Sequence, residues 1–252
     1  MSKRLIPVLL LDRYRRLVKT VSFGERTYIG DPFNVIRLFN EKEVDELCVL
    51  DIDASRDRRL PDFGFLRELA GECFMPLSYG GGIVSLDDCE RLNRDGVDKF
   101  ILGRGALDYA LVGRLTATFG SQAIVACVDV IGSGESARCI TTAGPTELRP
   151  EEYCRQLEKA GVGEIIVQSV DRDGQREGYD LALITHLAPR LSVPLVALGG
   201  AGQHFHLADA IRAGASAAAS GSIFSFIGRL RAVLISYPNA DQRLTIDQES
   251  RS

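Results

Sequence analysis

Short apolar runs alternate along the chain with segments whose apolar residues recur at helical spacing. Several of these amphipathic segments open with Asp, Ser or Pro, which are common at helix starts. Strands that are apolar on both faces and separated by helices indicate a parallel sheet. The predicted strands are LIPVLLL, ELCVLDID, MPLSYGG, KFILG, AIVACVD, EIIVQSVD, PLVALGG and SAAASG. The predicted helices are 31–42, 61–72, 85–95, 107–118, 150–161, 180–189, 203–213 and 225–235.

Eight strand–helix units in a chain of 252 residues predict an α/β fold, a closed (β/α)8 TIM barrel. A doubly wound open sheet is the alternative. No linker, low-complexity tract or composition shift interrupts the chain, so we expect a single domain over 1–252. The one long irregular segment, 130–150, follows the fifth predicted strand, and a loop of this length inside a compact domain is usually functional.

The two halves of the chain resemble each other. VLDIDASRDRR (49–59) is similar to QSVDRDGQREG (168–178), and the glycine-rich run at Gly80 has a counterpart at Gly199, 119 residues later. We interpret the barrel as two fused half-barrels. They cover about 1–120 and about 121–240, and a C-terminal tail follows at 241–252.

Composition narrows the class of partner. The chain has 30 basic and 34 acidic side chains, with a pI of about 5.5. This balance provides no positive surface for nucleic acid or for an anionic membrane. No apolar run reaches the length of a membrane span, and the N-terminus lacks a signal-peptide cleavage site. We therefore expect a cytoplasmic protein with neither nucleic acid nor membrane as a partner.

Cysteine and histidine give no sign of a metal site. The six cysteines are scattered, without a C-x-x-C pair or a histidine at ligand spacing. This pattern predicts neither a zinc site nor a disulfide framework, and it fits buried free thiols in a reducing compartment. His186, His204 and His206 lie in predicted helices without a neighbouring acid in register, so we interpret them as structural or surface groups.

Small-residue turns, mostly glycine-rich, close the third, fourth, seventh and eighth predicted strands. A single such turn is usually only a turn, but these form two symmetric pairs. Glycine at the carboxyl end of a barrel strand lets backbone N–H groups approach a phosphate. We therefore expect two phosphate sites across the barrel mouth and a substrate phosphorylated at both ends. The predicted phosphate-binding residues are Gly81, Gly82, Gly103, Arg104, Gly199, Gly200, Ser220 and Gly221.

Asp129 ends the fifth predicted strand, at the rim where barrel enzymes place catalytic groups. A structural cap is the alternative role. The half-barrel offset puts Leu10, not an acid, in the symmetric position, so a paired-acid mechanism lacks one carboxyl. Asp12 shares the pleat parity of Leu10 but lies about 6.6 Å further along, where it either swings inward or stays solvated. Lys19 is a candidate for contacting phosphate or polarising a carbonyl, and a surface lysine is the alternative.

Further acids follow the second and sixth predicted strands. These are Asp51 and Asp53 in the first half, and Asp171 and Asp173 in the second. They either line the mouth or tie strand ends to loops, and DRDG also suits a tight turn. We expect Asp51 and Asp173 to line the mouth.

Together these segments resemble the HisF family, the cyclase subunit of imidazole glycerol phosphate synthase. The resemblance covers nearly the whole chain. Its most specific parts are FGSQAIVACVD (119–129), GVGEIIVQSVDRDGQREGYD (161–180) and VALGGAG (196–202). The related sugar isomerase of histidine biosynthesis shares the half-barrel symmetry, but SVDRDG followed by GYD favours the cyclase branch.

The resemblance implies a reaction with ammonia and no cofactor. A separate HisH-like glutaminase makes ammonia, which enters at the barrel bottom, crosses the interior and attacks a bisphosphorylated substrate at the top, where two aspartates act as acid and base. Asp129 matches one of these aspartates, the other falls on Leu10, and Lys19 matches a functional lysine of the family. The charged ring that gates the entrance matches Arg4, Glu46, Lys99 and Glu164.

Departures from the family pattern cluster at the top. Gln168, which we expect to line the mouth, and Leu198 replace small polar side chains around the substrate. Gly103-Arg104 replaces an Asn-Thr pair in the first phosphate loop. Paralogues that accompany surface-polysaccharide biosynthesis, where a nucleotide sugar is amidated or amidinated, resemble the stretches 6–20, 39–47 and 72–76.

Three hypotheses stay open. The leading one is an ammonia-accepting synthase subunit of a glutamine-dependent amidotransferase, paired with a HisH-like glutaminase and with a sugar-modifying amidotransferase. It would serve lipopolysaccharide O-antigen synthesis and have little cyclase activity. The second is a working cyclase, a lyase of histidine biosynthesis, with Asp12 standing in for the missing acid. The third is a non-catalytic ammonia conduit that activates its glutaminase.

Overall fold

A closed ring of eight parallel strands forms the centre of the protein. The computed structural model describes residues 3–141, 144–228 and 232–251. Each of the eight strands pairs in parallel with two neighbours, and the first strand pairs with both the second and the eighth. The predicted TIM barrel is confirmed, and the open sheet is excluded. The strands are β1 Arg4–Leu11, β2 Leu47–Asp51, β3 Leu77–Gly80, β4 Lys99–Leu102, β5 Ile124–Ile131, β6 Glu164–Ser169, β7 Leu195–Leu198 and β8 Ala217–Ser220.

Helices surround the ring, and most begin where the sequence supplies a capping side chain. Asp31, Asp62, Ser85, Asp108 and Asp180 each accept a hydrogen bond from a backbone N–H three residues later. These bonds satisfy donors that a helix start leaves unpaired. The barrel helices are α1 Pro32–Glu41, α2 Phe63–Gly71, α3 Leu86–Arg94, α4 Tyr109–Phe119, α5 Pro150–Ala160, α6 Leu181–Leu187, α7 His204–Arg212 and α8 Ala240–Glu249.

The chain after β8 differs from the prediction of a helix at 225–235. The described residues form a short helix, Ser222–Ser225, and then an antiparallel pair between Phe226–Ile227 and Ala232–Val233. Residues 229–231 of the predicted helix lie outside the described residues. Gly228 has φ of 69°, a left-handed conformation that does not continue a helix. The segment expected as a tail contains most of α8, which completes the ring of helices.

Alternate residues of each strand point into the barrel and fill it. A distinct inner cluster of buried side chains includes Ile6, Val8, Ile101, Ile166 and Val196. The residues between them on the strands point outward and form the larger core beneath the helices. This alternation brings every second residue of the strands to one central space, as in other barrels of this fold.

A hairpin covers part of the carboxyl end of the barrel. Its first strand, Leu17–Thr20, pairs antiparallel with the end of β1 and with Arg26–Gly30. We call residues 17–30 the loop-1 hairpin. A second pair of short strands, Arg138–Thr141 and Gly144–Pro145, extends β5 within the long loop predicted as functional. Residues 142–143 of that loop lie outside the described residues.

Two expectations from composition have structural counterparts. The six cysteines are free, and four of them are buried. Within the described ranges, no helix combines the length and the apolar character needed to cross a bilayer.

The core predicts a clear contrast between two phenylalanines. Phe39 of α1 is fully buried, whereas Phe74, before β3, is 86% exposed. We expect Phe39→Ala to lower the free energy of unfolding by about 3–5 kcal/mol, because it leaves a cavity. Phe74→Ala is the control and should change it by less than about 0.5 kcal/mol. Urea denaturation followed by circular dichroism measures both, and equal losses would contradict the placement of the core.

Candidate functional site

A ring of four charged side chains closes the amino-terminal end of the barrel. Arg4 donates to Glu46 over 2.5 Å and also donates to Glu164. Lys99 donates to both carboxylates over 2.9 Å. Positive and negative groups therefore alternate, and each carboxylate is shared by two cations. The structure brings together all four residues expected to gate the entrance.

Burial and charge determine the state of this ring. Glu46 and Glu164 are only 4% and 5% exposed. Burial acts to raise the pKa of Glu164, but the hydrogen bond from Arg4 and the charge of Lys99 outweigh it and lower that pKa. Glu164 is therefore ionised at neutral pH, and charge-assisted hydrogen bonds hold the ring together. These hydrogen bonds would have to break for a molecule to pass through the ring.

A small, largely apolar cavity lies directly above the ring. It is bounded by both glutamates and by Ile6, Cys48 and Ser78, and it just admits one molecule the size of water. The Ser78 hydroxyl is occupied because it donates to the carbonyl of Leu47 over 3.2 Å. A neutral molecule such as NH3 can enter these surroundings at far lower cost than an ion can.

At the carboxyl end of the barrel, Asp129 and Gln168 lie on adjacent strands, and leucines occupy three further positions around the ring. Gln168 is in register with Asp129 on one neighbouring strand and with Leu198 on the other. Leu10 is in register with Leu50, and its strand lies across the ring from β5. The inward position symmetric to Asp129 is therefore occupied by a leucine beside another leucine.

Asp129 is set for proton transfer near neutral pH. Its pKa is raised to about 7, chiefly by burial; a hydrogen bond from Cys127 opposes the increase, and the charge of Asp173 adds to it. The Cys127 sulfur lies 3.7 Å from Asp129 Oδ1 and 4.0 Å from Gln168 Oε1. A carboxyl with a pKa close to the working pH can both accept and donate a proton.

Lys19 reaches from the loop-1 hairpin into the barrel. It is 6% exposed, and its ammonium donates to the carbonyl of Val8. Burial lowers the pKa of Lys19 to about 8, against the charge of Asp173. A methyl group added to Gly221 would collide with Nζ, so the amine lies directly against the turn after β8. This contact joins Lys19 to one predicted phosphate site.

Asp173 provides a second carboxyl at the mouth, on the same side as Asp129. It accepts a hydrogen bond from the Thr20 hydroxyl over 2.9 Å. Burial raises the pKa of Asp173, while Thr20 and the charge of Lys19 oppose that shift. The mouth therefore combines two acids and one amine, which come from β5, the loop after β6 and the loop-1 hairpin.

The carboxylates of Asp12 and Asp51 accept hydrogen bonds from the loops that follow their own strands. The Asp12 carboxylate accepts from the backbone N–H groups of Tyr14 and Arg16 and from the Arg16 guanidinium, over 2.7–3.0 Å. Burial acts to raise the pKa of Asp12, but these bonds lower it. Asp51 accepts from the backbone of Asp53 and Ala54. It also accepts from the Arg59 guanidinium over 3.1 Å. These contacts tie the end of β2 to the loop that follows it, which is one of the two roles that the sequence left open for Asp51.

The two predicted phosphate turns adopt matching backbone conformations. Gly81 and Gly199 have φ of 127° and 94°, values that side chains rarely adopt. A Cβ atom would lie 2.6 Å from the carbonyl oxygen of Asp51 at the first position, and 2.5 Å from that of Ser169 at the second. Each turn therefore packs on the end of the preceding strand, and only glycine leaves its backbone this close. Arg104, beside the first turn, is exposed.

Sequence reasoning missed two neighbours of the acids. Cys127 contacts Asp129 and Gln168, and Thr20 binds Asp173. Cys127 lies two residues before Asp129 on one strand, so pleat parity was a sufficient signal. The contact of Thr20 with a loop 153 residues later gave no local signal. Over the part of the chain that the structure describes, no three His, Cys, Asp or Glu side chains form a group that could hold a metal ion.

The raised pKa of Asp129 predicts a pH-dependent stability difference. Burial holds that pKa at about 7, so the folded state binds more protons than the unfolded state between about pH 4 and pH 7. Stability from this residue therefore falls as the pH rises through that window. We expect Asp129→Asn to raise the melting temperature relative to wild type more at pH 8 than at pH 5. Calorimetry tests this, with the exposed Asp87→Asn as control; a pH-independent difference would contradict it.

Comparison with known proteins supports the resemblance to the HisF family. The model of a family described as histidine biosynthesis protein matches residues 4–230. The "Putative imidazole glycerol phosphate synthase subunit hisF2" of Pseudomonas aeruginosa is 47% identical over 95% of this chain and 97% of its own. The similarly named HisF of Leptospira interrogans is 40% identical over 96% and 98%, and the hisF3 of Vibrio vulnificus is 39% identical over 96% and 95%. The chain therefore belongs to the histidine biosynthesis protein family, as a HisF-type member.

Proposed function

We propose that this protein is the ammonia-accepting synthase subunit of a glutamine-dependent amidotransferase. Its partner is a HisH-like glutaminase that binds the bottom of the barrel as a heterodimer. The observation that carries the proposal is the ring of Arg4, Glu46, Lys99 and Glu164, which seals one end of an apolar interior. A sealed entrance opposite a polar mouth suits a reagent that must not mix with bulk solvent.

The residues at the mouth supply the chemistry of ammonia transfer. The Asp129 carboxyl takes a proton from the attacking amine or gives one to the leaving group, as a group with a pKa of about 7 can at neutral pH. Lys19, with its pKa lowered to about 8, contacts a phosphate or polarises a carbonyl from the turn after β8. The two glycine-rich turns bind the phosphorylated ends of the acceptor.

The missing second acid supports a different acceptor from that of an ordinary cyclase. Leu10 of β1 and Leu50 of β2 place no carboxyl across the ring from Asp129. Loss of one partner of an acid–base pair removes on the order of 10²–10⁴-fold in rate. We propose that the ammonia serves amidation or amidination of a nucleotide sugar for a surface polysaccharide, with a sugar-modifying amidotransferase as the further partner.

An authentic cyclase of histidine biosynthesis is the second candidate. It is favoured by the names of the relatives, each of which is called a "Putative imidazole glycerol phosphate synthase subunit". The four hydrogen bonds that hold Asp12 in its loop weigh against that residue standing in for the missing acid. For a non-catalytic conduit, a carboxyl with a pKa near 7 at the mouth would have no use.

The first test is turnover of the histidine-pathway intermediate with ammonium salt. We expect a rate at least about 100-fold below that of an authentic cyclase under the same conditions, because the second acid is absent. Leu10→Asp should raise that rate, since it returns a carboxyl to the inner face. A wild-type rate near that of the cyclase would instead establish the second candidate. If Asp129→Asn leaves glutamine-dependent product formation unchanged, the protein is a conduit.

The ring predicts a defect that is specific to glutamine. Lys99→Ala removes one cation from two buried carboxylates, so we expect ammonia to leak at the entrance. Turnover with glutamine, divided by turnover with ammonium salt, should fall several-fold when the complex is assayed with its glutaminase. Lys159→Ala, on the exposed face of α5, is the control and should leave the ratio unchanged. An unaltered ratio for Lys99→Ala would show that the ring does not couple the two reactions.

A further inference from the structure

The loop-1 hairpin, which carries Lys19, spans the mouth between two loops of the barrel. On one side Thr20 binds the Asp173 carboxylate, and the Ser22 N–H donates to the Asp173 carbonyl over 2.9 Å. On the other side the Arg26 guanidinium donates two parallel hydrogen bonds of 2.7 Å to the two oxygens of Asp53. The hairpin is therefore attached to both half-barrels.

Asp53 is a fixed anchor for this attachment. It lies just after β2, and none of its surface is exposed. Besides Arg26 it accepts from the backbone N–H of Arg13 over 3.0 Å and from the guanidinium of Arg56. The hydrogen bond from Arg26 is the largest cause of a strongly lowered pKa for Asp53, so the anchor stays ionised. Both carboxylate oxygens of Asp53 are occupied by these hydrogen bonds, so we assign this acid no part in the proposed chemistry.

The position of Arg26 links the anchor directly to Lys19. Arg26 is in register with Thr20 across the hairpin, and Lys19 is in register with Thr27. A two-stranded hairpin is marginally stable on its own, so its position depends on what it is attached to. A bidentate guanidinium–carboxylate pair fixes both distance and orientation, which a single contact does not.

We propose that Arg26 and Asp53 are positioning residues that hold the loop-1 hairpin closed and thereby keep the Lys19 amine inside the barrel mouth. The role of Lys19 in chemistry rests on the proposed function, but its position does not. The hydrogen bonds between Arg26 and Asp53 join the hairpin to the loop after β2, so both residues act through the hairpin. Asp53 is shared by Arg26 and Arg56, and only Arg26 belongs to the hairpin, so the structure supplies a matched control.

The experiment compares Arg26→Met with Arg56→Met in the full-length chain. Hydrogen exchange measured by mass spectrometry should show the hairpin amides exchanging at least about tenfold faster in Arg26→Met, since the attachment to Asp53 in the loop after β2 is lost. The pH profile of Lys19 acylation should give an apparent pKa that moves from about 8 towards 10.5 as the amine becomes solvated. Arg56→Met should change neither reading. Arg26→Lys keeps the charge but loses the two parallel hydrogen bonds, so it should give values between those of Arg26→Met and wild type.

Three outcomes would overturn the proposal. These are unchanged exchange and acylation in Arg26→Met, equal changes in Arg56→Met, or full recovery of both readings in Arg26→Lys. Asp53→Asn keeps the shape of the side chain and removes its charge, so it should reproduce the effect of Arg26→Met if it folds, as circular dichroism will show. Neither reading needs ammonia, an acceptor or a glutaminase. Failure here therefore leaves the proposed function standing, and failure of the ammonia assays leaves this proposal standing.

Discussion

Buried charge at the base of the barrel is the constraint on which the functional account depends. A carboxylate removed from water requires partners, and Glu46 and Glu164 each receive two, from Arg4 and Lys99. Breaking such a pair by removing one partner typically costs several kcal/mol. Replacing all four residues with leucine would close the barrel more simply. Under the proposed function this ring is the barrier that ammonia crosses, and packing alone would not require charges at this place.

The opposite end of the barrel has the complementary property. There β5, β6 and the loop-1 hairpin supply the polar groups Asp129, Gln168 and Lys19, and Leu10 lies across the ring from Asp129. Burial raises the pKa of Asp129 to about 7 and lowers that of Lys19 to about 8, so both groups are near the point at which they exchange protons in neutral solution. Apolar side chains of the inner cluster fill the barrel between the two ends. The two ends therefore differ in chemistry, and the interior between them is apolar.

Much of this arrangement could be predicted from the sequence because, in a barrel, the place of a residue along its strand determines where its side chain lies. Apolar runs gave the eight strands, and the last residue of the fifth run placed Asp129 at the rim. The four ring residues were assigned through resemblance, because single charges at strand starts look like solvent-facing positions. Tertiary contacts were less accessible: Asp12 has the pleat parity of an inward residue, but Arg16 and two backbone amides hold it in its loop. The last helix was predicted at 225–235, but the apolar run after β8 forms a short helix and an antiparallel strand pair. The helix that completes the ring, α8, has no marked apolar stripe and was therefore not predicted.

The central claim is that ammonia crosses the interior of the barrel without mixing with solvent. It is tested most directly by isotope competition in the complex of this protein with its glutaminase. Glutamine carrying ¹⁵N in its side-chain amide is supplied together with an excess of unlabelled ammonium, and the isotope ratio in the product is measured by mass spectrometry. The account predicts a product that is predominantly ¹⁵N despite the excess. A product with the isotope ratio of the bulk ammonium would contradict it.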